Sequence, residues 1–249
     1  MAKRLNQTGY SLVELLVTLI IISILASVAI RSLKGANEVA KTEKTKQALA
    51  RIAQAIAGNS SGAIGGSAVS YGYVGDVGAL PPNLDALANN PGGYATWKGP
   101  YIQDQISAGV GSSLFTLDGW GKTIDYSGGL SLTSTGGSTT ISRSLGGSID
   151  ALLRNRVQTT IVDAGRTPPG NVFRDSLRCE LTYPNGAGAM TTRAKFPNAN
   201  GEVDFDSIPV GLHDLRVIYL PSGDTVRRRI AVAPGDSPYT EVTLFEELW

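Results

Sequence analysis

The sequence has one cysteine, Cys179, and one histidine, His213. A single thiol cannot close an internal disulfide, so no disulfide framework holds the chain together. One His and one Cys also leave no Cys/His cluster for zinc. Charge is sparse and balanced: 22 Lys and Arg stand against 21 Asp and Glu, a net charge of +1. No general basic field points to nucleic acid, and no nucleic-acid partner is expected. Thirty glycines and many Ser and Thr favour short strands and loops over a large helical core. The most informative absence is local. From Tyr10 to Ile30 there is no Gly, no Pro and no charge except Glu14.

As a helix, that run is about 30 Å long, the thickness of a bilayer core. A carboxylate inside such a segment is expensive, from about 2.5 kcal/mol for an Asp at the helix centre. A positive group on a neighbouring copy is the natural partner for Glu14.

Met1 to Gly9 is short, polar and basic through Lys3 and Arg4. A secretory signal has a shorter apolar core followed by a small-residue cleavage site. Here the small residue, Gly9, precedes a longer core. Gly9-Tyr10-Ser11-Leu12-Val13-Glu14 followed by the apolar run resembles the prepilin class III signal of type IV pilins and type II secretion pseudopilins. The resemblance implies a leader over residues 1–9, cut between Gly9 and Tyr10 by a prepilin peptidase. It further implies N-methylation of Tyr10, where the family usually has Phe, and a role for Glu14 in filament assembly. Flanking charge alone would put the large part of the chain in the cytoplasm, since Arg31, Lys34, Lys41, Lys44 and Lys46 follow the run. The resemblance implies the opposite: an inner-membrane precursor, single-pass, with its body outside.

Arg31 to Ala57 contains one Gly, Gly35, and no Pro, and is rich in helix formers. Leu49, Ile52, Ala53, Ile56 and Ala57 form one apolar stripe that needs a sheet to cover it. Gly58 ends the helix. The element expected over 10–57 is about 70 Å long, with residues 10–30 as membrane span or filament core. Gly35 marks a place where it could bend.

Residues 58–148 read as a globular head. Ser67 to Val77 reads as a loop. Asn83 is a plausible N-cap for a short helix over Leu84–Ala88, and short strands are expected around 113–117, 123–127 and 130–133. The segments Leu80–Ala88, Trp97–Ile102 and Asp118–Tyr126 resemble, in order, the head of the type II secretion major pseudopilin and its pilin relatives. Trp97, Tyr101, Trp120 and Tyr126 are read as aromatics covering the helix stripe. The major pseudopilins carry a calcium site in the following loop. Calcium takes six to eight oxygens, carboxylates among them, yet Leu132 to Thr140 has none. Asp118 and Asp125 are the weak calcium candidates nearby, read more readily as turn caps, so no cofactor is expected.

Gly146-Gly147-Ser148 reads as a short hinge. Beyond it, period-two strands separated by Gly, Pro and Asn signal a small antiparallel sandwich over 149–249. Its apolar positions include Val157, Ile161, Leu177, Cys179, Leu181, Val203, Phe205, Leu215, Val217, Val226, Ile230, Val232, Val242 and Leu244. Asn200 to Val217 resembles the carboxypeptidase-regulatory, transthyretin-like sandwich, which implies interaction or adhesion rather than chemistry. Arg227, Arg228 and Arg229 read as an edge strand whose charges discourage aggregation, or else as a basic patch for a partner.

Two motif matches lack their context. Gly58-Asn59-Ser60-Ser61-Gly62 fits the hydrolase nucleophile elbow but follows a helix end instead of a strand, and His213 would be its only base. Gly121-Lys122-Thr123 lacks the upstream glycine of a phosphate loop. No catalytic residue is assigned.

The expectation is therefore an α+β chain: a long N-terminal helix on a small antiparallel head, then a β-sandwich. Its expected function is as a structural subunit of a type IV pilus-like filament, not an enzyme. Expected partners are further copies, other pilins and the inner-membrane assembly platform. A secretion pseudopilus and a surface or minor pilin with an adhesive sandwich both remain open. The rival from another class is a tethered periplasmic binding domain that never polymerises.

Overall fold

A computed structural model describes residues 11–59, 70–103 and 113–249. The first element, α1, spans Leu12–Ala57, about 69 Å at 1.5 Å per residue. Ser11 caps it in extended conformation, its hydroxyl accepting from the Glu14 N–H at 3.2 Å. At the other end Gly58, at φ 76°, returns its N–H to the Gln54 carbonyl. A side chain there would clash with the Ser70 carbonyl, so the stop requires glycine.

The stripe on α1 is buried as its spacing predicts. Leu49, Ile52, Ala53 and Ile56 are in the head core, with Ala57 half-buried at its margin. Over it packs α2 (Gly72–Val77), which puts Tyr73, Val74 and Val77 into that core. Loop was expected here. The apolar residues 73, 74 and 77 share one helical face, but six residues are too few for that period to stand out in sequence. Asn83 caps a single 3-10 turn, Leu84–Leu87, accepting from the Ala86 N–H.

The head sheet is smaller than expected. Residues 114–116 form a 3-10 turn, and Thr123 and Asp125 make only isolated bridges to Leu117 and Thr133. Among the described residues of the head the one regular pair is β1 (Ser131–Ser134) antiparallel to β2 (Ile141–Ser144). The hydrogen bonds of the intervening chain go to a turn built on Asp118 instead of a ladder. Trp97, Tyr101 and Tyr126 lie half-buried against the core. Trp120 does not; its indole N–H reaches Glu38 on α1 at 3.0 Å.

After β2, Ser148 caps α3 (Ile149–Leu153). There follow β3 (Asn155–Val162), α4 (Gly170–Phe173), β4 (Leu177–Pro184), β5 (Met190–Lys195), β6 (Glu202–Ile208), β7 (Gly211–Tyr219), β8 (Thr225–Val232) and β9 (Tyr239–Thr243). The strands make two sheets, ordered β6-β3-β9 and β5-β4-β7-β8. Inward residues of both enclose one cluster that includes Ile161, Leu181, Phe205, Val217 and Val242. One pairing departs from an all-antiparallel sandwich: β9 runs parallel to β3. The chain leaves β8 for the other sheet instead of turning back along its neighbour. A second difference is β5, whose Thr, Arg and Lys residues give no apolar alternation because it is an edge strand.

The two clusters meet along backbone. Leu152 and Val210 are buried in the head core, and the Val210 N–H bonds the Leu152 carbonyl. The Gly186 N–H donates to the Val77 carbonyl at 2.8 Å, and the Thr96 N–H to the Gly188 carbonyl at 3.2 Å. Gly78, at φ 82°, lies so close to Pro184 that a Cβ would sit 2.3 Å from its carbonyl oxygen.

Candidate assembly surface and its supporting head

α1 divides into two halves with different surroundings. Every large apolar side chain from Leu12 to Val39 is exposed, whereas Thr45, Leu49, Ile52, Ala53, Ala55 and Ile56 are buried. The exposed half contains an 18-residue window of mean hydropathy 2.7, none of it buried. It is the one helix among the described residues long and apolar enough to cross a membrane. Exposed apolar surface of this extent marks a membrane or a partner.

Glu14 lies in the first turn of this half. A carboxylate there is favoured by the unpaired N–H groups and the positive end of the helix dipole. Ser11-Leu12-Val13-Glu14 has the spacing of a capping box, with Ser at the cap and Glu three residues on. That spacing was available in the sequence and identifies Ser11, which the reading above missed, as the residue that starts the helix. Gly9 and Tyr10, the expected cleavage and methylation positions, lie outside the described residues.

The buried half is held by a small polar network. The Asp118 carboxylate, only 3% exposed, accepts from the N–H groups of Trp120 and Lys122 at 2.9 Å and from the Ser134 hydroxyl at 2.7 Å. Burial pushes its pKa up, but the hydrogen bonds from Ser134, Lys122, Trp120 and Gly136 outweigh it and hold the group below the ordinary carboxylate value. The neighbouring Gly119 N–H donates to the Thr45 hydroxyl at 2.9 Å, and a Cβ on Gly119 would overlap the Lys41 carbonyl. Asp118 thus ties the 118–122 turn to β1 and the following loop, and Gly119 ties that turn to α1. The turn-cap reading of Asp118 is the one the geometry supports. Its oxygens face N–H and O–H donors where a cation would need lone pairs. Asp125 is exposed and contributes its backbone to the bridge with Thr133. Among the described residues no group of three or more His, Cys, Asp or Glu could hold a metal.

Of the two motif matches, Gly121 and Lys122 belong to the Asp118 turn, and His213 stands elsewhere. His213 is buried in β7, with Nε2 2.7 Å from the Pro209 carbonyl and Nδ1 unpartnered among the described residues. Burial lowers its pKa and keeps it neutral. Ser60 to Gly62 lie outside the described residues. Cys179 is buried, its thiol pushed up to about 12 by burial and by Glu180, which makes it unreactive.

Residues 4–30 match the family described as the prokaryotic N-terminal methylation motif. The chain is also 29% identical over 124 residues to the type II secretion system core protein G of Xanthomonas campestris pv. campestris, covering 49% of this chain and 70% of that protein. The chain is pilin-like. The motif covers the apolar helix with Glu14 in its first turn, and the relative is a type II secretion core protein. Among solved structures, the Bacillus anthracis TIE protein is similar at 14% identity and a TM-score of 0.31, over 43% of this chain and 18% of that one. A DUF3823 family protein from Parabacteroides merdae is similar at 12% identity and a TM-score of 0.25, over 37% and 45%.

Proposed function

We propose that this pilin-like subunit is made as an inner-membrane precursor, cut between Gly9 and Tyr10, methylated on Tyr10 and polymerised through α1. The observation that carries this is the exposed apolar half of α1 with Glu14 in its first turn. In the filament, apolar halves from successive copies cover one another, and the Glu14 carboxylate of an incoming subunit meets the amino terminus of its neighbour. At contact distance and an effective dielectric near 20, such a pair gains about 4 kcal/mol before desolvation. Left unpaired in the same apolar bundle, the carboxylate is costly, so the pair sets axial register. Prepilin peptidase, the assembly platform and other pilins are the partners this route requires. The relative is a type II secretion core protein, which favours a secretion pseudopilus over a surface pilus.

Glu14 has two possible roles, and paired substitutions separate them. Glu14→Gln keeps a side chain able to complete the capping box but removes the charge; Glu14→Ala removes both. Both variants should reduce filament recovered from sheared or overexpressing cells by about tenfold or more, corresponding to about 1.4 kcal/mol or more. Wild-type assembly by Glu14→Ala overturns the register role, and assembly by Glu14→Gln alone reassigns the residue to capping. Mass spectrometry of the mature amino terminus should find methylated Tyr10; an intact Met1 would leave a tethered, non-polymerising domain.

A further inference from the structure

The outer edge of the four-stranded sheet has charge that the fold does not use. β8 is eight residues long, contains no Pro or Gly, and pairs only with β7. Among the described residues its other side has no strand partner. An unpaired edge is a template for another strand, and its charges restrict which strand can pair there. In its middle stand Arg227, Arg228 and Arg229, all exposed.

Their surroundings neutralise them only in part. Arg227 lies directly opposite Arg216 across the ladder, an unfavourable like-charge pairing. Arg216 is bonded at 2.6 Å to Glu180, which also takes Arg178 at 2.8 Å. Arg229 has only a loose 3.6 Å contact with Asp214, both side chains mostly exposed. Among the described residues Arg228 reaches no carboxylate; its guanidinium donates to the Arg227 carbonyl at 3.3 Å. A groove of about 530 Å³ crosses the outer face of the sheet from Thr192 on β5, past Thr182 and Arg216, to these arginines.

The three arginines are consecutive, so they alternate sides of the strand. Arg227 and Arg229 share the sheet's outer face. Arg228 has the parity of the buried Val226 and Ile230, yet emerges into solvent. A strand laid alongside β8, with consecutive acidic residues on both its sides, would reach all three. Two β8 edges from separate copies would bring arginine against arginine, which disfavours a second copy as occupant.

We propose that β8 is a docking edge for an extended acidic segment of a partner protein, which adds to the sheet as a further strand with its carboxylates on Arg227, Arg228 and Arg229. Backbone pairing would supply affinity and the arginines the selection. This is independent of the filament reading, since it concerns only the C-terminal sandwich.

The test uses the full chain in zwitterionic micelles and a fluorescein-labelled peptide, Thr-Val-Thr-Glu-Glu-Glu-Thr-Val-Thr, read by anisotropy. Saturable binding is expected, weakened roughly two- to fivefold by Arg228→Ser and about as much by Arg227→Ser or Arg229→Ser. N-methylation of alternate peptide residues removes the strand hydrogen bonds and should abolish binding. The exposed positions allow each variant to melt like the parent, which checks folding. The proposal fails if the peptide does not bind, or if Arg228→Ser has no effect. It also fails if the N-methylated peptide or dextran sulfate binds as tightly as the parent peptide, the behaviour of a simple polyanion surface. Self-association through this edge, lost in the Arg228→Ser variant, would equally overturn it.

Discussion

The two halves of α1 are one continuous helix with opposite fates. From Thr45 to Ile56 it carries an interrupted apolar stripe, and the head covers that stripe. From Leu12 to Ile30 it is apolar nearly all round, and among the described residues nothing covers it. A one-sided stripe asks for one packed layer, which a small domain can supply to itself. An all-round apolar rod asks to be surrounded, by lipid or by other rods. The same backbone thus serves as a domain core at one end and as an intermolecular surface at the other.

The sharpest break in this comparison pairs two isoleucines. Ile52→Ala empties a fully buried position and should destabilise the head by about 2–5 kcal/mol, measured by thermal or denaturant unfolding in micelles. Ile21→Ala, at an exposed site in the other half, should leave that unfolding unchanged and act only on assembly.

The next effect falls on Asp118, which fastens the buried half to the head sheet. Asp118→Ala leaves buried N–H and O–H donors without an acceptor, at a cost of about 1–3 kcal/mol for an unsatisfied group. Because the folded state holds this carboxylate below its ordinary value of 3.8, its stabilisation is complete above that pH. It is lost as pH falls through the lower folded value, where the native carboxylate must take up a proton. The parent's melting temperature should therefore drop in that acid range more steeply than that of Asp118→Ala.

The smallest effect lies in the exposed half. Gly35 has open space around it, so Gly35→Ala meets no obstruction. It should favour the local helix by about 0.5–1 kcal/mol, visible as slower amide exchange over that segment with head melting unchanged.

Much of this was legible in sequence because it depends on local pattern. The stripe at Leu49, Ile52, Ala53 and Ile56, the stop at Gly58 and the Asn83 cap follow from spacing and from single-residue backbone preferences. The alternating strands of the sandwich core were readable for the same reason. β5 was not, because an edge strand carrying Thr, Arg and Lys has no period to detect. The strands expected around 113–127 gave way to the Asp118 turn, whose donors come from residues as distant as Ser134 and whose neighbour Gly119 bonds Thr45. No local window contains those partners.

The sequence by itself determined the membrane-length apolar run, the acid in its first turn, the helix beyond it and the β-rich character of the rest. Each is set within a few turns of chain by period, charge and backbone propensity. Only the tertiary structure decided which half of α1 the protein covers, that Asp118 is occupied by its own donors, that Gly78 brings α2 against β4, and that β8 is an edge with three exposed arginines. Those facts depend on contacts between residues far apart in sequence, where shape and charge are settled by the neighbour that arrives.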